Sequence, residues 1–201
     1  MKTIIQYSIL FILMLTLTSM SLCHKDLSEY GKWLKYYNLQ HEYFEEVGED
    51  LEFDLNWAKY DLNSEGIKLY EPFFIYSPDS TYYLDLDTYS LSIETKDGKL
   101  ISYGSGVDMK VQVVRLSDSK SLTVLFCGST CIPETAIWIS NSNLEILGFT
   151  ADEQGGMVPT KWEVELESGR FKELQMDTVL NLTDAFYYEK ERLKNIEFVN
   201  E

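Results

Sequence analysis

The chain has 201 residues and carries 33 acidic against 17 basic side chains, a formal net charge of -16. A field of that sign repels phosphate backbones and anionic headgroups, which excludes nucleic-acid binding and leaves a cationic partner open, although acidity that simply keeps an exported protein soluble is the plainer reading. With 45% hydrophobic and 14% aromatic residues, the length suits one globular domain rather than a disordered chain.

Residues 1–22 follow the plan of a secretory signal peptide. Lys2 precedes an apolar run, Ile9 to Leu17, broken only by Thr16, and the small or polar Thr18, Ser19 and Ser21 close it. The expected location is therefore outside the cytoplasm, periplasmic or extracellular, and loss of Lys2 with the leader makes the mature chain one unit more negative. Cys23 stands at the end of this leader, where it resembles the lipid-bearing first residue of mature bacterial lipoproteins. Leu22 before it is larger than the small residue normal there, so cleavage after Ser19 or Ser21 is the alternative. A lipid on Cys23 would be the chain's contact with a membrane.

Residues 23–50 read as an N-terminal amphipathic helix. Leu27, Tyr30, Leu34, Tyr37, His41 and Phe44 recur at steps of three and four and share a face, with Gly48 as the stop. Such a stripe more often docks on its own domain than on a membrane.

Residues 51–176 read as an antiparallel β domain. Leu51, Phe53, Leu55 and Trp57 alternate with polar or small residues as in a half-buried strand, and Ile67–Tyr70 runs back after the turn Asn63–Gly66. From Phe73 short strands follow one another. Ser77-Pro78-Asp79-Ser80 is a turn, Tyr82–Tyr89 alternates, and Asp97-Gly98 is the strongest hairpin signal in the chain. Val107–Val113 and Leu122–Phe126 form a pair of apolar strands. After the Cys127–Cys131 loop, Ala136–Ile139, Leu144–Thr150, Val158–Leu166 and Phe171–Met176 repeat the pattern more briefly. The two units span about 73–126 and 136–176, the first with an extra hairpin. Residues 177–201 return to a helical rhythm, with Phe186, Tyr187, Leu193 and Ile196 near one face.

Cys127 and Cys131, four apart in CGSTC, are placed to close a small disulfide loop in an oxidising compartment, which leaves Cys23 as the odd cysteine. Metal binding needs more ligands than two thiols, and the thioredoxin spacing has one residue fewer between its cysteines.

The unit of strand, Ser-Pro-Asp turn, strand, glycine bend, strand, Asp-containing turn and strand resembles a blade of TolB-type β-propeller repeats. The residues that carry the likeness are Ile75 to Ser80, Val111 to Leu116 and, at the entry to the second unit, Trp138 to Ser142. A closed propeller needs at least about four blades. The resemblance therefore implies a mainly β fold, an antiparallel meander of two propeller-blade-like sheets, either packed together or continuous as one long twisted sheet, with an N-terminal and a C-terminal helix covering a face or edge. The leader and the repeats together are similar to envelope proteins of Bacteroidetes-type bacteria, from which no activity carries over residue by residue.

No catalytic constellation stands out. A hydrolytic triad needs a histidine beside a nucleophile, and the two histidines are His24 at the leader junction and His41 on the apolar stripe. Tyr83, Asp85, Asp87 and Tyr89 share one side of the strand, opposite Leu84 and Leu86, and form the candidate binding face, although a solvated strand face reads as well. They lack the glycine and closing glutamate of a helix-loop-helix calcium site. No cofactor and no metal is expected. The functional expectation is a non-enzymatic binding or scaffold module that contacts an envelope or extracellular protein, or a glycan, through a β-sheet surface. The alternative is an acidic exported inhibitor or immunity protein that binds a cationic enzyme, with a hydrolase third.

Overall fold

The computed structural model describes residues 29–39, 43–106, 108–182 and 186–199. The leader, Cys23, His24 and His41 lie outside the described residues. The fold is mainly β, with antiparallel sheets and little helix.

The second half of the chain is the more regular. β10 (Cys131–Trp138), β11 (Asn143–Ala151), β12 (Met157–Glu165) and β13 (Arg170–Met176) pair consecutively and antiparallel as a four-strand meander. Its turns are made by side chains that take backbone donors. Ser140 Oγ accepts the N–H of Ser142 and Asn143, and Asp152 Oδ1 accepts those of Gln154 and Gly156. The outer edge of β13 is capped by two short strands from earlier in the chain, β1 (Phe44–Glu46) and β2 (Leu51–Glu52).

The first half builds a second meander. β4 (Ile75–Tyr76), β5 (Tyr82–Asp85), β8 (Met109–Arg115) and β9 (Lys120–Cys127) pair in that order, and β3 (Ala58–Lys59) adds to β9. The extra hairpin enters between β5 and β8. It consists of β6 (Leu91–Lys96) and β7 (Lys99–Ser105), turned at Asp97 (φ 52°) and Gly98 (φ 77°) as the Asp-Gly signal requires. Instead of extending the meander, it forms a third sheet with β14 (Ile196–Phe198), which runs parallel to β7.

The two meanders pack face to face. Leu84, Leu86, Val111, Val113, Leu122 and Val124 of one meet Ala136, Trp138, Leu144, Ile146, Trp162 and Val164 of the other. Truncating either tryptophan to alanine costs about 3–5 kcal/mol. On the far side of the second meander, Tyr30, Trp33 and Leu34 of helix α1 (29–36) pack on Ile137, Leu147, Phe149, Met176 and Tyr187. Tyr70, Phe73, Leu91, Ile93, Tyr188, Leu193 and Ile196 fill the third cluster, beneath the hairpin.

Four elements differ from the sequence reading. α1 ends at residue 36, well before Gly48, because Asn38 takes a left-handed conformation (φ 55°) and turns the chain back to pair Phe44 with Met176. Gly48 (φ 82°) instead links β1 to β2. Residues 51–57 are not one strand. Leu51–Glu52 pairs with β13 and Ala58–Lys59 with β9, so the segment between them crosses from one meander to the other. The expected single buried face is split, since Phe53 and Trp57 pack on the core while Leu51 and Leu55, of the same parity, face solvent.

Ile67–Tyr70 is not a strand either. Helix α2 (Glu65–Lys68) and a 3-10 turn (Glu71–Phe73) carry Tyr70 to the hairpin, where its hydroxyl donates to Leu91 O at 2.7 Å and accepts the Ile93 N–H. The tail holds a single π-helical turn (Tyr188–Arg192) before β14. Its apolar residues serve two different clusters, Tyr187 beside α1 and Tyr188, Leu193 and Ile196 under the hairpin, which one helical face cannot do.

Candidate binding groove

The four residues of the sequence-derived face do not share a surface. Tyr83, Asp85 and Asp87 are buried and only Tyr89 is exposed. The physical reason is that other segments lie against β5: Phe74 stacks on Tyr83 with ring centroids 4.2 Å apart, and the Tyr60 hydroxyl reaches Asp85. Desolvation raises the Tyr83 hydroxyl far above the usual tyrosine range, with the neighbouring Tyr60 contributing.

Both aspartates are occupied by the protein itself. Asp85 accepts the N–H groups of Asp87 and Thr88, the Thr88 hydroxyl, and the Tyr60 hydroxyl at 3.1 Å. Asp87 takes a two-pronged ion pair from Arg192, at 2.6 and 2.8 Å. Among the described residues no group of three or more His, Cys, Asp or Glu side chains is placed to hold a metal ion. No helix among them is long and apolar enough to cross a membrane.

A third buried carboxylate lies in β10. The ladder with β11 is irregular between Pro133 and Thr135, so Glu134 is a bulged residue without a partner across the strand. Its side chain leaves the sheet towards α1, where Trp33 Nε1 donates at 2.7 Å and the Tyr37 hydroxyl at 2.8 Å. Its carbonyl accepts Arg192 Nε at 2.7 Å. Tyr37 in turn accepts the Tyr187 N–H, and the Tyr187 hydroxyl donates to Glu29 at 2.6 Å. Desolvation pushes the Glu134 carboxyl up to about 7 against these donors. The network ties α1, β10 and the C-terminal turn together.

The feature suited to an external partner is elsewhere, at the end of the inter-sheet core where β9 and β10 meet. There a groove of about 480 Å³ opens to solvent. Phe126 and the Cys127–Cys131 disulfide, whose Cα atoms are 5.9 Å apart, form one wall, and Leu51, Glu52 and Phe53 form the other. Phe126 and Leu51 are 57% and 60% exposed, large values for side chains that flank a core. Tyr89 stands beside this rim. Its ring meets Phe126 edge-on at 6.0 Å and carries Lys110 Nζ over it at 4.3 Å.

The floor carries Trp162, Phe171 and Glu173. Phe171, Glu173 and Gln175 alternate along β13 and so point to the same side. Glu173 Oε2 accepts Trp162 Nε1 at 3.2 Å, and its Oε1 accepts Gln175 Nε2 at 2.8 Å. Gln175 also donates to Thr150, whose hydroxyl bonds that of Thr160. Neutral donors therefore orient Glu173, and among the described residues no lysine or arginine pairs with it.

The groove continues into an acidic edge. Glu45, Glu46, Glu49, Asp50, Glu52 and Asp54 are all exposed, interleaved with exposed Tyr43, Val47, Leu51 and Leu55. Lys172 meets Glu46 and Asp50 at 3.0 Å each, and Arg170 meets Asp50 at 3.8 Å. That leaves Glu45, Glu49, Glu52 and Asp54 as acid in excess of these cations.

Sequence reasoning missed Glu173, Gln175 and Phe126. A signal for the first two was present, because a glutamate and a glutamine share the parity of core-facing Phe171. For Phe126 there was none, since it continues an apolar strand.

The fold and groove define a mainly antiparallel β protein of two face-to-face meanders with an open, partly charged cleft at one end. The chain matches no family model, no curated protein and no solved structure. The chemistry of the groove is therefore what bears on function.

Proposed function

We propose that this chain is an exported, non-enzymatic binding module of a bacterial envelope, free or tethered through Cys23, that grips another extracellular protein in the groove between its meanders. The observation that carries the reading is a pair of exposed apolar side chains, Phe126 and Leu51, flanking a floor on which Glu173 is held by Trp162 and Gln175. Exposed aromatic and aliphatic anchors around a small polar floor are what protein-recognition hot spots are made of. The leader motif supports export, and the disulfide suits an oxidising compartment.

The test is capture of envelope proteins on the immobilised mature chain, run in parallel with a Leu51→Ser, Phe126→Ser variant. A partner retained by the wild type and lost by the variant supports the reading. Equal retention by both overturns it. A second reading, an inhibitor or immunity protein for a cationic enzyme, is favoured by the excess acid at Glu45, Glu49, Glu52 and Asp54, and its signature is a basic captured protein released by moderate salt.

A further inference from the structure

We infer that the groove receives an extended basic segment of a protein partner, and that one lysine or arginine of that segment pairs with Glu173. The inference rests on the binding-module reading above and specifies its occupant.

An ionised carboxylate offers about four acceptor positions. At Glu173 two are taken by Trp162 and Gln175, both neutral, and the rest face a groove walled by Val124, Leu125, Phe126, the disulfide and Phe171. Apolar walls lower the local dielectric, so a cation reaching this carboxylate is held more strongly than one at an exposed glutamate. Glu173 is half-buried, and a partner that covers it avoids the cost of an unpaired buried charge only by bringing an ammonium or guanidinium of its own.

The same geometry discriminates among occupants. A second copy of this chain brings another net charge of -16 against the acidic edge and is repelled. A neutral glycan brings no cation to pair with Glu173 or with the acidic edge, and the lining is mostly apolar, with Leu51, Phe53, Phe126 and the disulfide. Apolar side chains alternating with basic ones match both the rim and the floor. Glu52 in the groove wall, with the exposed Glu49 and Asp54 near it in the chain, extends the negative field along the path such a segment takes.

The experiment uses the mature chain and two labelled pentapeptides, acetyl-Leu-Lys-Leu-Arg-Leu-amide and its glutamate counterpart, titrated by fluorescence anisotropy at several salt concentrations. The basic peptide is expected to bind, to weaken as salt rises, and to lose about 10-fold or more in affinity to Glu173→Gln. The acidic peptide is expected not to bind. Unchanged affinity in Glu173→Gln, equal binding of the acidic peptide, or no binding of the basic one overturns the inference. Salt dependence in the wild type reads the charge contribution should Glu173→Gln fail to fold. Phe126→Ser separates the two levels of the proposal. If it abolishes binding while Glu173→Gln does not, the groove stands and the paired cation falls. If neither matters, both fall.

Discussion

Arg192 forks onto Asp87 with both terminal nitrogens, at 2.6 and 2.8 Å, and joins two residues 105 apart in the chain. Its Nε takes the carbonyl left unpaired by the Glu134 bulge, so one guanidinium holds the C-terminal turn to the entry of the hairpin and to the edge of β10. Both side chains of the pair are almost wholly buried. Removing one partner strands the other charge in the interior, which costs about 3–5 kcal/mol. Asp87→Asn and Arg192→Met are each expected to lose that much in denaturant titrations. The double change Asp87→Leu, Arg192→Met is expected to recover a large part of it, because the desolvation of both ions disappears together. A double variant as unstable as the sum of the singles would refute this account.

Glu134 makes stability depend on pH in an unusual direction. Its carboxyl is raised to about 7 in the fold against 4.5 for a free glutamate side chain, chiefly by desolvation. The folded protein therefore holds this proton more tightly than the unfolded chain. The contribution is fully present below pH 4.5, is lost as pH rises from there to about 7, and is flat above. Its size is about 3 kcal/mol. Glutamine at 134 cannot titrate and can accept from only one of Trp33 and Tyr37 through its single carbonyl. The stability difference between wild type and Glu134→Gln is expected to shrink by about 3 kcal/mol between pH 4.5 and 7. A difference independent of pH would show that the carboxyl titrates normally.

How much of this was legible in the sequence depended on whether a local pattern had one cause or two. Asp97-Gly98 announced the β6–β7 hairpin because only a turn with two positive φ angles suits that dipeptide. The β10–β13 meander followed from alternation with turn residues between. The alternation at Leu51 to Trp57 was equally clean, yet it came from a segment crossing between sheets. The face at Tyr83, Asp85 and Asp87 was misread for a related reason. Alternation tells which residues share a side of a strand and says nothing about whether a later or earlier segment covers that side. Here Phe74 and Tyr60 lie against it, and Arg192, in a tail that reads as a plain helix, neutralises Asp87. The groove depends on where two meanders fail to cover each other, which is a property of the assembled sheets and not of any one stretch.

The disulfide closes a loop with a sequence separation of only 4, so its effect on the unfolded chain is small. Loop-closure entropy for so short a loop amounts to about 2 kcal/mol at 25 °C. Cys127→Ser, Cys131→Ser is expected to lower stability by that amount while the meanders remain folded. Because the bridge forms part of one groove wall, the same variant is expected to weaken partner capture beyond what the stability change explains. Capture and stability both unchanged would remove the bridge from the account.

Gly148 sits opposite Pro133 in the β10–β11 ladder, immediately before the bulge that expels Glu134 from the sheet. A Cβ there would run into the Ile132 carbonyl oxygen and come 2.9 Å from the Ile132 carbonyl carbon and Pro133 Cα. These are backbone atoms, so no change of rotamer relieves the contact and β10 must move away. Displacing β10 shifts Glu134 from Trp33 and Tyr37, and its carbonyl from Arg192, so one methyl group reaches the whole network between α1 and the C-terminal turn. Gly148→Ala is expected to cost about 4 kcal/mol or more, in the range reserved for strained or broken buried networks. It is also expected to flatten the pH dependence assigned to Glu134, since that carboxyl would gain water. Gly155→Ala serves as the control, because a Cβ there meets nothing within 4 Å and only its φ of +83° opposes the change. It is expected to cost about 1 kcal/mol and to leave the pH profile intact. Equal costs for the two substitutions would mean that the close approach at the bulge does not constrain the fold.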